Sequence, residues 1–313
     1  MESVKPLVSI ALCTFNGERF LKEQLDSLIN QSYPNLEIIA VDDRSTDNTL
    51  SILNQYKSQH HFIKVFQNET NLGFRKNFEK ALSYANGDYI ALCDQDDVWH
   101  PDKIKIQIGN IGSNVLIYHD SSFIDEEGKS LNKNLSDIMN LYRGNQCHHF
   151  LLENCVAGHT CFFRRSLLKD LLPLPTLLYH DKWIAFVATA TGTIDYCKEA
   201  LVNYRQHCTS TTDILKNKKT KKKSGLLKIK DLNAEIKILK DFLPDDPFIN
   251  KFYTLLVRRM NEYISLELFL FVYQNRDVLY YIKKRSALSK FSYSVKFLWG
   301  YRLKAFFLYN KRY

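Results

Sequence analysis

Hydrophobic residues along the first hundred positions follow two spacings in turn, one typical of buried strands and one typical of helices. After the first apolar run, Leu21, Leu25 and Leu28 recur every three to four positions, which predicts a helix. The same spacing predicts helices at Thr49–Tyr56 and Asn77–Ala85. The predicted strands are Leu7–Cys13, Leu36–Val41, Ile63–Gln67 and Tyr89–Cys93. This alternation predicts an α/β fold, with a mostly parallel central sheet flanked by helices.

Beyond residue 115 the pattern is less regular. Val115–His119 is typical of a strand and Glu126–Lys129 of a turn, and apolar segments follow at Cys155–Arg164 and Thr193–Tyr204. The basic tract Lys216–Lys223 marks a boundary, so we expect a first domain over residues 1–215 and a helical region over residues 216–313. Helical patterns in that region cover Leu226–Leu243 and Phe248–Tyr273, and a last stretch starts at Val278.

The net charge of +9 is divided unevenly between these two regions. Residues 1–215 carry 20 Lys and Arg against 26 Asp and Glu, a net charge of −6. Residues 216–313 carry 23 against 8, a net charge of +15. The second region is therefore suited to an anionic partner such as a membrane surface, whereas acidic chemistry must lie in the first.

Neither the cysteines nor the apolar runs indicate an extracellular or membrane-spanning protein. The seven cysteines form no C-x-x-C pair, which disfavours disulfides and structural zinc. The first residues lack a basic stretch followed by a long apolar segment, so we expect no secretory signal. The longest strongly apolar run, Tyr263–Tyr273, is interrupted by Glu267 and is shorter than the ~20 residues of a spanning helix. We expect a protein of the reducing cytosol.

The most informative stretch is Asp94-Gln95-Asp96-Asp97, directly after a predicted buried strand. Three carboxylates this close raise one another's pKa unless a cation lies among them, and Mg²⁺ favours such oxygen ligands. An alternative is a solvated turn whose aspartates cap the next helix. Ligands bind beyond the carboxyl ends of strands in such sheets, so polar residues after neighbouring strands should converge with the aspartates. These residues are Thr14, Asn16, Asp42 and Asp43.

The order of these motifs resembles the family-2 glycosyltransferases of the GT-A fold. The resemblance rests on VSIALCTFNG from Val8, VDDRSTD from Val41, NLG from Asn71 and GDYIALCDQDD from Gly87. Asn77-Phe78, His180-Asp181 and Tyr204-Arg205-Gln206-His207 make the chain most similar to the bacterial rhamnosyltransferase-like branch. The matching motifs extend over about residues 7–212.

The resemblance implies that a dTDP- or UDP-linked sugar lies across the strand ends. Thr14, Asp42 and Asp43 would hold the base and ribose. Asn71 and a basic residue, either Arg75 or Lys76, would lie nearby. Asp94 would face the ribose, while Asp96, together with Asp97, would hold Mg²⁺ or Mn²⁺ on the diphosphate. His207 would contact the diphosphate or the metal, and the other histidines are expected to have ordinary surface roles.

Asp181 resembles the catalytic base of the family. A carboxylate there would take the proton from an acceptor hydroxyl as its oxygen displaces the nucleoside diphosphate, which inverts the anomeric configuration. His180 is a rival base, because the pKa of an imidazole suits the task. A helix cap is the alternative role of Asp181. The acceptor would be a growing cell-surface polysaccharide, such as an O-antigen or capsule, or a lipid-linked oligosaccharide.

Aromatic and basic residues alternate from Tyr280 to the C-terminus. This mixture is typical of helices in a membrane interface, so the sequence predicts a peripheral protein at the inner face of the cell membrane. A helical cover packed on the catalytic domain is the alternative. Nucleic acid shares the preference for basic residues, but the acidic first region argues against it.

Two other functions fit parts of the sequence. A strand followed by Asp-x-Asp also describes the nucleophile motif of haloacid-dehalogenase-like phosphohydrolases, although there the motif lies on an early strand and here three βα units precede it. A non-catalytic, membrane-associated sugar-binding protein would share the fold. The intact aspartates argue against this second alternative.

Overall fold

The computed structural model describes residues 5–207 and 224–309, which belong to two compact units. The first unit contains the chain up to Gln146 and again from Cys155, and the second contains Cys147–Asn154 and the C-terminal helices. The predicted boundary between residues 215 and 216, and the tract Lys216–Lys223, lie outside the described residues.

Residues 147–154 belong with the C-terminal helices, whereas the sequence analysis assigned them to the first domain. His148 Nε2 lies 2.9 Å from Asp246 Oδ2, and Glu153 accepts a hydrogen bond from Lys283 N at 2.9 Å. Glu153 also pairs with Arg285. These polar contacts join positions more than 90 residues apart in the chain, which no local sequence pattern indicates.

The first unit is built on nine strands and seven helices among its described residues. The strands are β1 Val8–Thr14, β2 Leu36–Asp42, β3 Ile63–Gln67, β4 Tyr89–Cys93, β5 Val98–Trp99, β6 Leu116–Ile124, β7 Ser130–Asn134, β8 Phe162–Arg164 and β9 Ile194–Arg205. The helices are α1 Leu21–Ile29, α2 Thr49–Gln59, α3 Phe74–Ser83, α4 Lys103–Asn110, α5 Leu135–Ile138, α6 Leu168–Leu171 and α7 His180–Thr191.

The strands form one sheet in the order β3-β2-β1-β4-β8-β6-β9-β5, with β7 paired to β6. Strands β1 to β4 are parallel, as predicted. Beyond them β8 runs antiparallel to β4 and β6, and β5 runs antiparallel to β9. The α/β class is confirmed, and the sheet is parallel in its first half and mixed in its second.

The parallel register brings polar residues to one edge of the sheet. All seven residues of β1 are buried, and apolar side chains of α1 such as Leu25 and Leu28 are buried in the same core. Thr14 pairs with Asp42 in the last register position of β1 and β2. Strand β4 ends at Cys93 beside β1, so Asp94 follows at the same edge.

The second unit contains six helices among its described residues: α8 Gly225–Phe242, α9 Pro247–Arg258, α10 Leu266–Gln274, α11 Arg276–Leu279, α12 Ala287–Val295 and α13 Tyr301–Tyr309. Helix α8 begins where Ser224 Oγ accepts a hydrogen bond from Leu227 N at 3.2 Å. Helix α9 begins where Asp246 Oδ1 accepts one from Ile249 N at 2.8 Å. No helix in the described part of the chain is both long and apolar enough to span a bilayer.

The helical pattern predicted over Phe248–Tyr273 is divided into α9, a 3₁₀ turn at Arg259–Asn261 and α10, so that prediction was wrong at residues 262–265. The buried Arg259 donates hydrogen bonds to the carbonyl oxygens of Lys296 at 2.6 Å and Trp299 at 2.9 and 3.0 Å. These long-range bonds fix the chain where the helix is interrupted.

Gly87 lies where the loop before β4 approaches β1. A Cβ atom there would lie 2.6 Å from Ser9 N and 2.8 Å from Leu7 O, both backbone atoms. Because the backbone of β1 cannot move aside, Gly87→Ala should lower the free energy of unfolding by roughly 1–3 kcal/mol, measured by urea denaturation. Gly109→Ala on α4 is the control, since a Cβ there meets no atom within 4 Å. An equal loss in both variants would contradict the packing argument.

Candidate active site

Asp42 is a fully buried acceptor at the end of β2. Its carboxylate accepts hydrogen bonds from Ser45 N at 3.0 Å, Gln67 Nε2 at 3.1 Å and Thr14 Oγ1 at 3.2 Å, and also bonds to Ser45 Oγ. Thr14 and Asp42, both predicted to bind nucleotide, therefore hold each other and the following loop in place. Their protein partners give them a positioning role at the sheet edge.

Asp43 ties the loop after β3 to the same edge. Its carboxylate accepts hydrogen bonds from Asn68 Nδ2, Leu72 N and Gly73 N, each at 2.8 Å. The exposed side chain of Asn71 accepts a bond from Gly73 N at 3.1 Å. The loop that would face a nucleotide is thereby fixed from beneath.

Asn16 occupies the matching position after β1. Its Oδ1 accepts a hydrogen bond from Thr46 N at 2.8 Å, while its own N–H donates to Ser45 Oγ at 2.9 Å. These bonds join the loops after β1 and β2. The side chain is exposed at the edge of the site.

Asp94, Asp97 and His159 form a cluster whose ligand atoms all lie within 4.8 Å of one another. Asp97 is fully buried, and its Oδ1 accepts a hydrogen bond from Arg205 N at 3.0 Å. Its Oδ2 has no hydrogen-bond partner among the described residues and lies 3.8 Å from His159 Nδ1. Burial, followed by the charges of Asp96 and Asp94, raises the pKa of Asp97 well above its usual value.

Asp96 and His207 form a second contact at this edge. His207 Nε2 lies 2.7 Å from Asp96 Oδ2, and the imidazole packs on the ring of Phe20 at 5.0 Å between centroids. The buried Arg205 donates from Nε to the carbonyl oxygen of Asp96 at 2.9 Å. In the structure Asp97 lies with Asp94 and His159, whereas Asp96 pairs with His207.

Asp181 lies in the first turn of α7, close enough to raise the pKa of Asp94. Lys182 N donates to Asp181 Oδ1 at 2.6 Å. Burial raises the pKa of Asp181 to about 6, against smaller lowering effects of Lys182 and Arg75. Burial, followed by Asp96 and Asp181, raises the pKa of Asp94 to about 7. With a pKa of about 6, the Asp181 carboxylate is suited to general-base catalysis near neutral pH.

His180, the rival base, is buried beside Asp181. Its ring stacks on Phe78 at 4.3 Å between centroids, and neither ring nitrogen has a hydrogen-bond partner among the described residues. Burial, followed by the charge of Arg75, lowers the pKa of His180 to about 3. The imidazole therefore stays neutral and is a much weaker base than the Asp181 carboxylate.

Arg75 rather than Lys76 lies beside the candidate base. Arg75 Nε donates to the carbonyl oxygen of Leu178 at 2.6 Å, and its guanidinium lies over the Tyr179 ring at 5.1 Å. Lys76 Nζ instead donates to Glu79 at 2.7 Å. Both belong to the first turn of α3, which begins at Phe74, three residues before the predicted start.

Residues 9–172, just over half of the chain, match the family model described as glycosyl transferase family 2. The chain belongs to this family. A dTDP-rhamnosyl transferase of Shigella flexneri, RfbG, is 28% identical over 76% of this chain and 86% of its own length. An uncharacterized glycosyltransferase of Haemophilus influenzae is 27% identical over 75% of this chain and 78% of its own.

Solved structures confirm the GT-A fold of this family-2 glycosyltransferase. S. aureus TarS, solved in complex with UDP-GlcNAc, superposes with a TM-score of 0.59 at 18% identity, over 93% of this chain and 89% of the TarS chain. A mannosyltransferase of Pyrobaculum calidifontis, solved with GDP-Man and Mn²⁺, superposes with a TM-score of 0.53 at 16% identity, over 94% and 76%.

The acidic edge of this glycosyltransferase fits a divalent cation. Asp97 offers a buried carboxylate oxygen that accepts no hydrogen bond from the described residues, and clustered carboxylates raise one another's pKa. Carboxylate ligands suit Mg²⁺ or Mn²⁺. Asp96 with His207, or Asp94 with Asp97 and His159, would hold the ion.

Sequence reasoning missed two buried residues behind this edge. His159 was expected to be a surface histidine, but only 2% of it is exposed and its Nε2 lies 2.8 Å from Ser121 Oγ. Lys103 is fully buried with its Nζ 3.5 Å above the Trp99 ring, and burial lowers its pKa to about 7. The one sequence feature that indicates this contact is that Trp99 lies four residues before Lys103.

The pH dependence of the family-2 enzyme should report the ionisation of Asp181. The base is active only when ionised, so kcat/KM should fall about tenfold per pH unit below about 6 and level off above it. Initial rates of donor consumption across this range measure the profile. A rate that stays constant from pH 7 down to pH 4.5 would contradict Asp181 as the base.

Proposed function

We propose that this glycosyltransferase moves one sugar from a nucleoside diphosphate to an acceptor hydroxyl, with inversion at the anomeric carbon. The observation that carries the proposal is the position of Asp181. It is a half-buried carboxyl with a pKa of about 6, and its charge helps to raise the pKa of Asp94. A single base facing the acidic edge suits direct displacement, in which no enzyme nucleophile is needed.

Each of the described site residues has a separate role in this reaction. Asp181 takes the proton from the acceptor hydroxyl as the oxygen attacks the anomeric carbon, and the bond to the nucleoside diphosphate breaks on the opposite face. A divalent cation held at the acidic edge would neutralise negative charge on the leaving group. Asp43 and Asn16 fix the loops against which the nucleotide would lie. Arg75 supplies positive charge beside the base.

We propose a dTDP- or UDP-linked donor, with L-rhamnose as the first sugar to test. Support comes from RfbG, named as a dTDP-rhamnosyl transferase, and from TarS, which was solved with UDP-GlcNAc. The proposed acceptor is a growing cell-surface polysaccharide such as an O-antigen or capsule, or its lipid-linked precursor. A putative teichuronic acid biosynthesis glycosyltransferase of Bacillus subtilis, 40% identical over 34% of this chain, supports this class of acceptor.

We also propose that the enzyme is peripheral at the inner face of the cell membrane, where a lipid-linked acceptor would be presented. The support is the net charge of +15 on residues 216–313. Near an anionic leaflet each basic residue contributes up to about 1 kcal/mol to binding.

A donor screen tests the proposed reaction. The full chain with Mn²⁺ is incubated with dTDP-rhamnose, UDP-glucose, UDP-galactose and UDP-N-acetylhexosamines, using water as the acceptor, and released nucleoside diphosphate is measured. We expect one donor to be hydrolysed well above the Asp181→Asn variant. Release of inorganic phosphate from a phosphate ester would favour the phosphohydrolase instead, and binding of a donor without turnover would favour the sugar-binding protein.

A further inference from the structure

The exposed large hydrophobic side chains of the second unit include six, on or near α10 and α12, that are between 42% and 77% exposed. We name them the apolar ridge: Ile264, Leu266, Leu270, Leu288, Phe291 and Trp299. Burying such side chains is normally favourable, so exposed groups of this size mark an interaction surface when they lie together.

The ridge residues come from neighbouring segments. Ile264 forms an antiparallel bridge with Trp299, supported by bonds from Ser265 N to Leu298 O at 2.8 Å and Gly300 N to Tyr263 O at 2.9 Å. Leu266 and Leu270 are four residues apart on α10 and therefore share one side of that helix. Helix α12 packs on α10, where the Phe291 ring meets Tyr273 at 5.7 Å between centroids.

The fold holds this surface in a fixed shape. A Cβ on Gly300 would lie 2.0 Å from Glu262 O, so the two bridged segments approach as closely as backbone permits. Arg259, 3% exposed, donates to the carbonyl oxygens of Lys296 and Trp299 from beneath. Trp299 is therefore exposed on a supported segment of the second unit.

The segments that carry the ridge also carry an excess of exposed cations without a carboxylate partner among the described residues. The acidic groups are neutralised, because Arg258 bonds to Glu262 at 3.3 Å and Glu267 at 2.8 Å, and Lys290 bonds to Asp277 at 2.7 Å. Within the described ranges, the exposed side chains of four basic residues have no carboxylate partner. These residues are Lys283, Lys284, Lys296 and Arg302.

We propose that the apolar ridge inserts into the headgroup region of an anionic lipid bilayer. Exposed apolar side chains on segments that also carry exposed cations match the chemistry of that interface. A second copy of the chain fits this surface less well, because a two-fold contact through it would place like charges opposite one another. The inference deepens the proposed function, since it identifies the surface that would bring the enzyme to a lipid-linked acceptor.

The three tryptophans provide a direct test. Trp99 and Trp183 are 3% and 6% exposed, whereas Trp299 is 42% exposed. The full chain is mixed with phosphatidylcholine vesicles with or without phosphatidylglycerol, and the anionic vesicles are also prepared with brominated acyl chains. We expect a blue shift of the emission on anionic vesicles and quenching by the bromines. Both changes should vanish in Trp299→Phe.

A double variant tests the apolar contribution independently of fluorescence. Leu288→Ser with Phe291→Ser should weaken co-sedimentation with anionic vesicles by about tenfold or more, because two side chains lose their burial in lipid. Leu131→Ser on β7 is the matched control, at a site 38% exposed in the first unit. Added salt should weaken wild-type binding without abolishing it, since the apolar contribution is not screened.

Three results would overturn the proposal. These are unchanged emission on anionic vesicles, equal binding of the double variant, or a lipid-free dimer that the double variant abolishes. Donor hydrolysis without vesicles separates this proposal from the proposed function, because the ridge variants should retain it. If the chain binds vesicles but hydrolyses no donor, the result supports lipid binding by the ridge and contradicts the proposed transferase mechanism.

Discussion

Asp181→Asn should lower turnover by roughly 10²–10⁴-fold, the usual cost of losing a general base. The amide keeps the shape of the side chain and can still accept the hydrogen bond from Lys182 N. It cannot take a proton from the acceptor. Donor affinity, measured by calorimetry, should be nearly unchanged, because the base acts on the acceptor. The expected result is therefore a lower kcat with an intact donor Kd.

Two controls make this experiment specific. Asp170→Asn on α6 of the same unit should retain full activity, since Asp170 is not one of the carboxylates of the acidic edge. The residual activity of Asp181→Asn should lose the fall below about pH 6 that the wild type shows. Wild-type turnover in Asp181→Asn, or an unchanged pH profile, would remove this residue from the chemistry.

Asp96→Ala should lower turnover by about 10³-fold, because it removes a carboxylate from the proposed cation site and the partner of His207. Exhaustive chelation of the wild type should have a comparable effect, and added Mn²⁺ should restore the rate. Binding of Mn²⁺ is followed by the loss of the paramagnetic resonance signal of the free ion. Asp195→Ala is the control, since that carboxylate pairs with Arg143 at 3.2 Å.

The same measurement distinguishes the two possible ligand sets. His207→Gln should weaken Mn²⁺ binding by about 10- to 100-fold if Asp96 and His207 hold the ion. His159→Gln should have that effect if Asp94, Asp97 and His159 hold it. We expect the larger loss in His207→Gln, because His159 is only 2% exposed. Full activity in chelator would contradict a metal at either position.

The parallel half of the sheet could be predicted because its strands are short, mostly apolar runs that alternate with helical patterns. Strands β3 and β4 were predicted with the bounds that the structure shows. Strand β8 could not be predicted, since it has only three residues and depends on pairing with β4 and β6. The gap between α9 and α10 was missed for a related reason, because Arg259 is fixed by carbonyls about 40 residues away.

Candidate residues were foreseen where they belong to short local motifs. Asp94 and Asp96 were candidates because they follow a predicted strand, and Asp181 was a candidate because its segment resembles that of the family's catalytic base. His159 was missed because only the folded sheet brings it close to Asp97, which lies 62 positions earlier in the chain. Lys103 was missed because a lysine after a turn is usually at the surface. Its burial here depends on the packing of α4, which the sequence pattern does not show.

The stereochemistry of donor hydrolysis tests the central claim most directly. With the donor identified in the screen, the full chain and Mn²⁺, proton NMR spectra recorded before mutarotation show the anomer of the sugar as it is released. Direct displacement with Asp181 as the base predicts that the first-formed sugar has the anomeric configuration opposite to that of the donor. Release of the sugar with the donor's own configuration would contradict the single-displacement mechanism.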